Sequence, residues 1–245
     1  MNKRKTRMVA LVLATGLSGT AQAALHDRGG GLIYDDVLNV TWLQDANYAK
    51  TSGYDADGLM AWGEAKTWAS NLLFHDSVRA VVYDDWRLAR NSPEGDPFHY
   101  GWWSASQPTG SNLLGPHSEL SHMYYENLGL IGYDTTYGAW RNDFGIFGNG
   151  SNVGQNNVGL ILNLQSGEYL SDAEPQPYTD NRPWTFNTNN GDHYLRLWYD
   201  PYYAWAVRDG DVAAIPEPET YAMMLVGLMI VGAEVRRRRG WDKRG

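Results

Sequence analysis

The chain has 245 residues, a formal net charge of -8 and no cysteine. The length suits one large domain or two small ones, enough to bury a core without cross-links. Without thiols there are no disulfides, thiolate metal sites, iron–sulfur clusters or cysteine nucleophiles.

In chain order, the first segment reads as an address. Lys3, Arg4, Lys5 and Arg7 precede an apolar stretch from Met8, and Ala21-Gln22-Ala23 supplies the small residues of a cleavage site. That is the layout of a secretory signal peptide over residues 1–23, cut after Ala23 by the export machinery of the Sec type. The body expected to fold, 24–212, holds 24 acids against ten bases, a net charge of about -14. Such a balance argues against nucleic acid and anionic membrane as partners, because both require basic patches.

Within the body, "GGGLIYDDVLNVTWLQD" carries two β-rich runs around Asp35-Asp36 and predicts a hairpin. "DADGLMAWGEAKTWASNLLF" places Leu59, Trp62, Ala65, Ala69, Leu72 and Leu73 at helical spacing, with Asp57 as the expected N-cap. "DDWRLAR" and "GWWSAS" read as short strands. In "SELSHMYYENLGL", Leu120, Met123, Tyr124 and Leu128 share a helical face behind a Ser118 cap. Strands and Gly/Asn loops are expected from Trp140 to Asp211.

The last segment, 213–240, is a second address. Tyr221 to Ala233 has no charge, and the expected helix of about 221–235 ends in Arg236, Arg237, Arg238 and Arg239. Thirteen residues span about 20 Å as a helix against a hydrocarbon core of roughly 30 Å. The arginine side chains can snorkel to the interface, and the positive-inside rule keeps them cytoplasmic. Residues 241–245 form a short tail.

Pro216-Glu217-Pro218, one short apolar helix and a terminal arginine cluster together resemble a PEP-CTERM sorting signal. "GWDKRG" after the cluster departs from that pattern. The resemblance implies a Gram-negative source and recognition by an exosortase, a membrane enzyme that cuts such tails. It also implies a link to exopolysaccharide and biofilm matrix. The protein would first be anchored in the inner membrane facing the periplasm, then pass to the envelope or the extracellular space.

The body in turn resembles the Lcl C-terminal domain family of exported, C-type lectin-like domains. "GLIYDDVLNVTWLQDANYAKTSGYDADGLMAWGEAKTWASNL", "DDWRLAR", "SELSHMYYENLG", "NLQSGEYLS" and "YYAWAVRDGDV" carry the likeness, while Tyr133 to Asn157 matches poorly. The resemblance implies an α+β fold, a twisted antiparallel sheet flanked by two helices, with N- and C-terminal strands adjacent. It implies no activity, since fold alone does not set function.

Several residues are candidates for chemistry. His117 and His122, with Glu119 between them, sit five apart, roughly 140° round a helix, so they do not form a zinc-protease pair and read as surface or capping groups. His26, His75, His99 and His193 have no partner visible in the sequence. Asp45, Asn47, Asp55 and Asp57 surround one loop; they could hold calcium or, as Asp and Asn commonly do, shape turns. No cofactor is expected, and calcium is the alternative. Sugar-binding C-type lectins carry Gln-Pro-Asp or Glu-Pro-Asn and Trp-Asn-Asp. Here Gln107-Pro108-Thr109 and Trp140-Arg141-Asn142-Asp143 break both, leaving Asn142 and Asp143 as residual ion-binding candidates. The cysteine-dependent formylglycine-generating chemistry of the same superfamily is excluded.

Trp102, Trp103, Trp184, Trp198 and Trp205 either stack on sugar rings or pack the core. Arg87 beside Asp84 and Asp85 reads as a structural ion pair, and Arg208 in "WAVRDG" reads the same way. The expected function is therefore an exported, non-enzymatic protein whose body binds a glycan or another surface component. A surface hydrolase acting on matrix polysaccharide and a purely structural matrix component are the alternatives.

Overall fold

The computed structural model describes residues 25–90, 118–133, 141–173 and 182–212, together with Met229. The signal segment with Ala21 and Ala23, the "GWWSAS" strand with Trp102 and Trp103, and the tail with Pro216, Glu217, Pro218 and Arg236 to Arg239 lie outside these residues. Among the described residues no helix is long and apolar enough to cross a membrane.

The fold is mixed and mostly sheet, consistent with α+β. Two five-stranded sheets replace the single expected one. The first begins with β1 (Leu25–Gly29), β2 (Leu32–Asp35) and β3 (Val40–Leu43), joined as antiparallel hairpins. Asp35 makes the predicted turn by accepting hydrogen bonds from the amides of Val37 and Leu38, both at 3.0 Å. Leu32, Ile33, Val40, Trp42 and Leu43 are all buried, so this hairpin is covered on both faces.

The chain returns to that hairpin at its far end. β14 (Ala206–Asp209) pairs antiparallel with β3, and the short β7 (Arg87–Leu88) completes the order β1-β2-β3-β14-β7. The Thr41 hydroxyl donates to the Gly210 carbonyl at 2.7 Å, and Arg28 binds Asp211 at 2.6 Å.

The second sheet runs β12 (Asp192–Leu195), β11 (Trp184–Asn187), β10 (Glu168–Leu170), β13 (Tyr202–Tyr203) and β4 (Leu59–Met60). It is antiparallel except for a parallel contact between β10 and β13. Two ribbons stand apart: β5 (Phe74–Asp76) with β6 (Val81–Tyr83), and β8 (Gln155–Val158) with β9 (Ile161–Gln165).

Trp205 joins the two sheets. Its ring lies 4.7 Å from Trp42 of the first and 5.9 Å from Tyr169 of the second, and its indole N–H donates to the Leu43 carbonyl at 2.7 Å. The bond satisfies a polar atom that would otherwise be stranded in the core.

The helices are short. α1 covers Tyr48–Thr51, α2 covers Trp62–Ser70 and α3 covers Glu119–His122, which runs on into a π-helical turn over Met123–Asn127 closed by a Leu128-to-Met123 backbone bond of 2.9 Å. Ser118 caps α3 as expected, its hydroxyl accepting from the Ser121 amide. The Asp57 cap is corrected: α2 starts at Trp62 behind Ala61, and Leu59–Met60 is strand β4. Gly58 stands at φ 84, a left-handed conformation that breaks any helix there, and Asp55 and Asp57 spend their oxygens on the turn amides instead. Ala65, Trp68 and Ala69 form the buried face of α2, and the Trp62 indole N–H fastens the helix to the Ser171 carbonyl at 3.0 Å.

The ion pairs differ from the sequence reading. Arg87 meets neither Asp84 nor Asp85. It forks onto Glu119 with two bonds of 2.8 Å and also binds Asp209. The register sets Arg87 opposite Val207, so Asp209 falls diagonally on the same face. Arg208, one residue on and therefore on the other face, takes Asp85 at 2.7 Å.

Candidate functional site

In the candidate calcium loop the carboxylates are engaged by local hydrogen bonds. Asp45 accepts from the Asn47 amide at 2.9 Å, the Thr51 hydroxyl at 2.7 Å and the Asn163 side chain at 3.0 Å. Asp55 accepts from the amides of Asp57 and Gly58 at 2.9 and 2.7 Å, and Asp57 from Leu59 at 3.0 Å. The Asp57 amide first, then that of Gly58, hold the Asp55 carboxyl below its usual range. Asn47 is buried, with its Oδ1 packed against the Gly58 backbone rather than turned to the acids. Among the described residues no three acidic, histidine or cysteine side chains converge to hold a metal ion. Asp45, Asp55 and Asp57 each accept from a backbone amide two or three residues on, while the Asn47 side chain donates to the Asp57 carbonyl at 3.4 Å.

Asn142 and Asp143 also stay apart from any cluster. Both are exposed, and the Asp143 carboxylate is engaged by Arg141 of its own loop at 2.7 and 2.9 Å. Hydrogen bonding from Arg141 lowers the Asp143 pKa. Of the candidate tryptophans, Trp184 and Trp205 are buried while Trp198 is 59% exposed.

Two histidines acquire partners that the sequence did not reveal. His122 is buried, which corrects the surface reading, and its Nε2 lies 3.8 Å from the buried carboxylate of Asp35. Asn127 donates to the same Asp35 carboxylate at 2.6 Å. His193 Nε2 and the Ser118 hydroxyl are 3.0 Å apart. Burial pushes the His193 pKa down to about 3, so it is neutral at physiological pH. A serine beside a neutral imidazole suggests nucleophilic chemistry, but Ser118 is fully buried and also caps α3. Asn127 ties the 118–127 segment to Asp35 of the first hairpin, and Ser118 ties it to His193 of β12 in the second sheet.

A concave feature open to solvent lies on the second sheet. Its volume of about 270 Å³ falls just below the range of small-molecule pockets, roughly 300–1,000 Å³. β4 contributes Leu59, and β13 contributes Tyr202 and Tyr203. The hairpin of β10 and β11 contributes Gly167, Glu168, Asn187 and, just beyond, Asn189, while Asn152 comes from the loop before β8.

Local rules place each group. Glu168 pairs across the ladder with Asn187. Its carboxylate accepts from Arg196 at 2.6 and 2.7 Å and from the Thr185 hydroxyl at 2.7 Å. Asn187 accepts from the Asn189 amide at 2.8 Å, which shapes the turn and leaves its own amide N–H groups without a protein partner among the described residues. The Asn189 side chain lies against the carbonyls of Gly150 and Ser151, and with its amide assigned so that nitrogen faces them it donates to both at 3.2 and 3.0 Å. A Cβ at Gly167 would stand 3.0 Å from the Tyr203 ring, so glycine there lets the ring lie close. Burial first, and then the charge of Asp57, raises the Tyr203 phenol pKa; burial and then Glu168 do the same for Tyr202. Both hydroxyls are therefore neutral hydrogen-bonding groups.

The groove thus offers amides, phenols and aromatic faces, and one carboxylate that is already bound. "NLQSGEYLS" and the tyrosines of "YYAWAVRDGDV" carried the family likeness, yet nothing in their spacing marked them as a site. Family models, curated proteins and solved structures compared with this chain yield no match.

Proposed function

We propose that this is an exported envelope or matrix protein, sorted by an exosortase through its tail, whose C-type lectin-like body binds glycan non-enzymatically through the groove of the second sheet. The lectin-like reading draws support from the β3–β14 pairing, which sets the beginning of the body against its end. The groove carries the binding reading. Sugar hydroxyls need alternating donors and acceptors beside an apolar face, and Asn152, Asn187, Tyr202 and Tyr203 offer that set. Glycoside hydrolysis instead uses two carboxyl groups roughly 5–9.5 Å apart. Among the described lining residues Glu168 alone is acidic, and Arg196 clamps it.

Asn187→Asp tests the groove, because it keeps the turn acceptor and removes the amide donor. On a glycan array the purified full chain is expected to retain sugars equally with calcium or with a chelator, and the variant to lose at least tenfold in affinity. Retention indifferent to the variant would move the site elsewhere. For the sorting half, replacing Glu217 in an exosortase-bearing host should leave the protein in the inner-membrane fraction. Normal release of that variant would refute the tail assignment.

A further inference from the structure

The groove has an aromatic neighbour. Trp198 and Tyr199, in the connection between β12 and β13, are 59% and 56% exposed. Their rings meet edge to face, with centroids 5.5 Å apart and planes at 84°. Two adjacent large aromatics in water are an unfavourable arrangement unless something covers them. Their main chain is anchored. The Trp198 carbonyl accepts from the Trp62 amide at 3.1 Å, the Asp200 amide closes a turn onto Leu197 at 3.1 Å, and Pro201 fixes the next φ. Preset aromatic faces lose little entropy when a flat ligand stacks on them.

Position links the pair to the groove from both sides. Tyr202 of the groove follows Tyr199 by three residues, and Trp62, which holds Trp198, follows Leu59 of the groove by three. A fully extended chain from Trp198 to Tyr202 spans at most roughly 14 Å. A single sugar in the groove would leave the aromatic pair uncovered. A chain a few rings long reaches both.

Charge narrows the ligand further. Arg196 is consumed by Glu168 and stacked over Tyr194 at 4.4 Å. Asp57 and Asp200 add negative charge around Tyr203 and Tyr202. With about -14 on the whole body, uronate or sulfated chains meet repulsion.

Resting on the glycan reading of the groove, we infer that Trp198 and Tyr199 form a second stacking subsite, so that the protein selects linear neutral polysaccharide over short or acidic sugars.

The test uses the purified full chain in detergent and calorimetric titration with cellobiose, cellohexaose, mannohexaose and hexagalacturonate. Both aromatic side chains are exposed, so the double variant W198A/Y199A is expected to melt within a few degrees of the parent. A neutral hexasaccharide should bind the parent at least tenfold tighter than cellobiose and much tighter than hexagalacturonate. The double variant should lose that tenfold while its cellobiose affinity stays the same. Asn187→Asp should lose both. Equal affinity for dimer and hexamer, a length preference that survives the double variant, or preference for hexagalacturonate would each overturn the second subsite while leaving the groove standing. Absence of binding by any sugar would bring down the groove reading and this inference together. Loss of self-association in the double variant by sedimentation, with hexasaccharide affinity unchanged, would instead assign the pair to contact between copies.

Discussion

The two sheets treat their polar groups in opposite ways. In the first, charges close the structure. Arg87 reaches Glu119 and Asp209, Arg28 reaches Asp211 and Arg208 reaches Asp85, each pair joining distant parts of the chain. In the second, most of the polar groups lining the groove are uncharged: Asn152, Asn187, Asn189 and the two tyrosines. On the proposed reading, charge pairs close the first sheet, and recognition would fall to the uncharged groups that line the groove of the second.

Removing a buried charge should break the comparison most severely. Arg87→Met leaves the buried Glu119 carboxylate without its fork and is expected to cost about 3–5 kcal/mol in urea unfolding. Acid should act next. The native His193 pKa lies near 3 and the ordinary value is 6.5. The native state therefore declines a proton that the unfolded chain accepts. Stability is fully present above pH 6.5 and falls as pH drops toward 3. Between pH 7 and 5 the loss is expected to be about 1–2 kcal/mol, because the residue retains some solvent access. His193→Gln should flatten that slope, and an unchanged slope would place the titrating group elsewhere. The lowered carboxyls of Asp76, Asp85 and Asp209 enter only further down, below their ordinary value of 3.8. The smallest effect belongs to the groove: Asn187→Asp should shift unfolding by less than about 1 kcal/mol while abolishing sugar retention. A large loss of stability in that variant would mean that the groove residues hold the fold as well.

Local features were legible in the sequence. The Asp35 turn and the Ser118 cap each depend on a side chain that bonds an amide two or three residues away, and residue type suffices to reveal them. The start of α2 was misread because Gly58 and the two aspartates offered a competing local solution to the same amides. Arg87 was assigned to its sequence neighbours because cross-strand register is not written in spacing; its partners lie 32 and 122 residues away. The groove draws on β4, the loop before β8, the β10–β11 hairpin and β13, so no single window of sequence contains it. Trp198 was named among the aromatics, but its exposure follows from the turn at Leu197 and from Trp62, which only the folded chain brings together.

The union of β3 with β14 has a mechanical consequence. Val212 leaves the body directly beside the strands on which the body begins, stapled by the Thr41–Gly210 bond and the Arg28–Asp211 pair. A pull applied at Val212 enters β14 and is shared along its two flanking ladders with β3 and β7. Such tension falls first on the sheet that holds β14, whose neighbours on either side are β3 and β7.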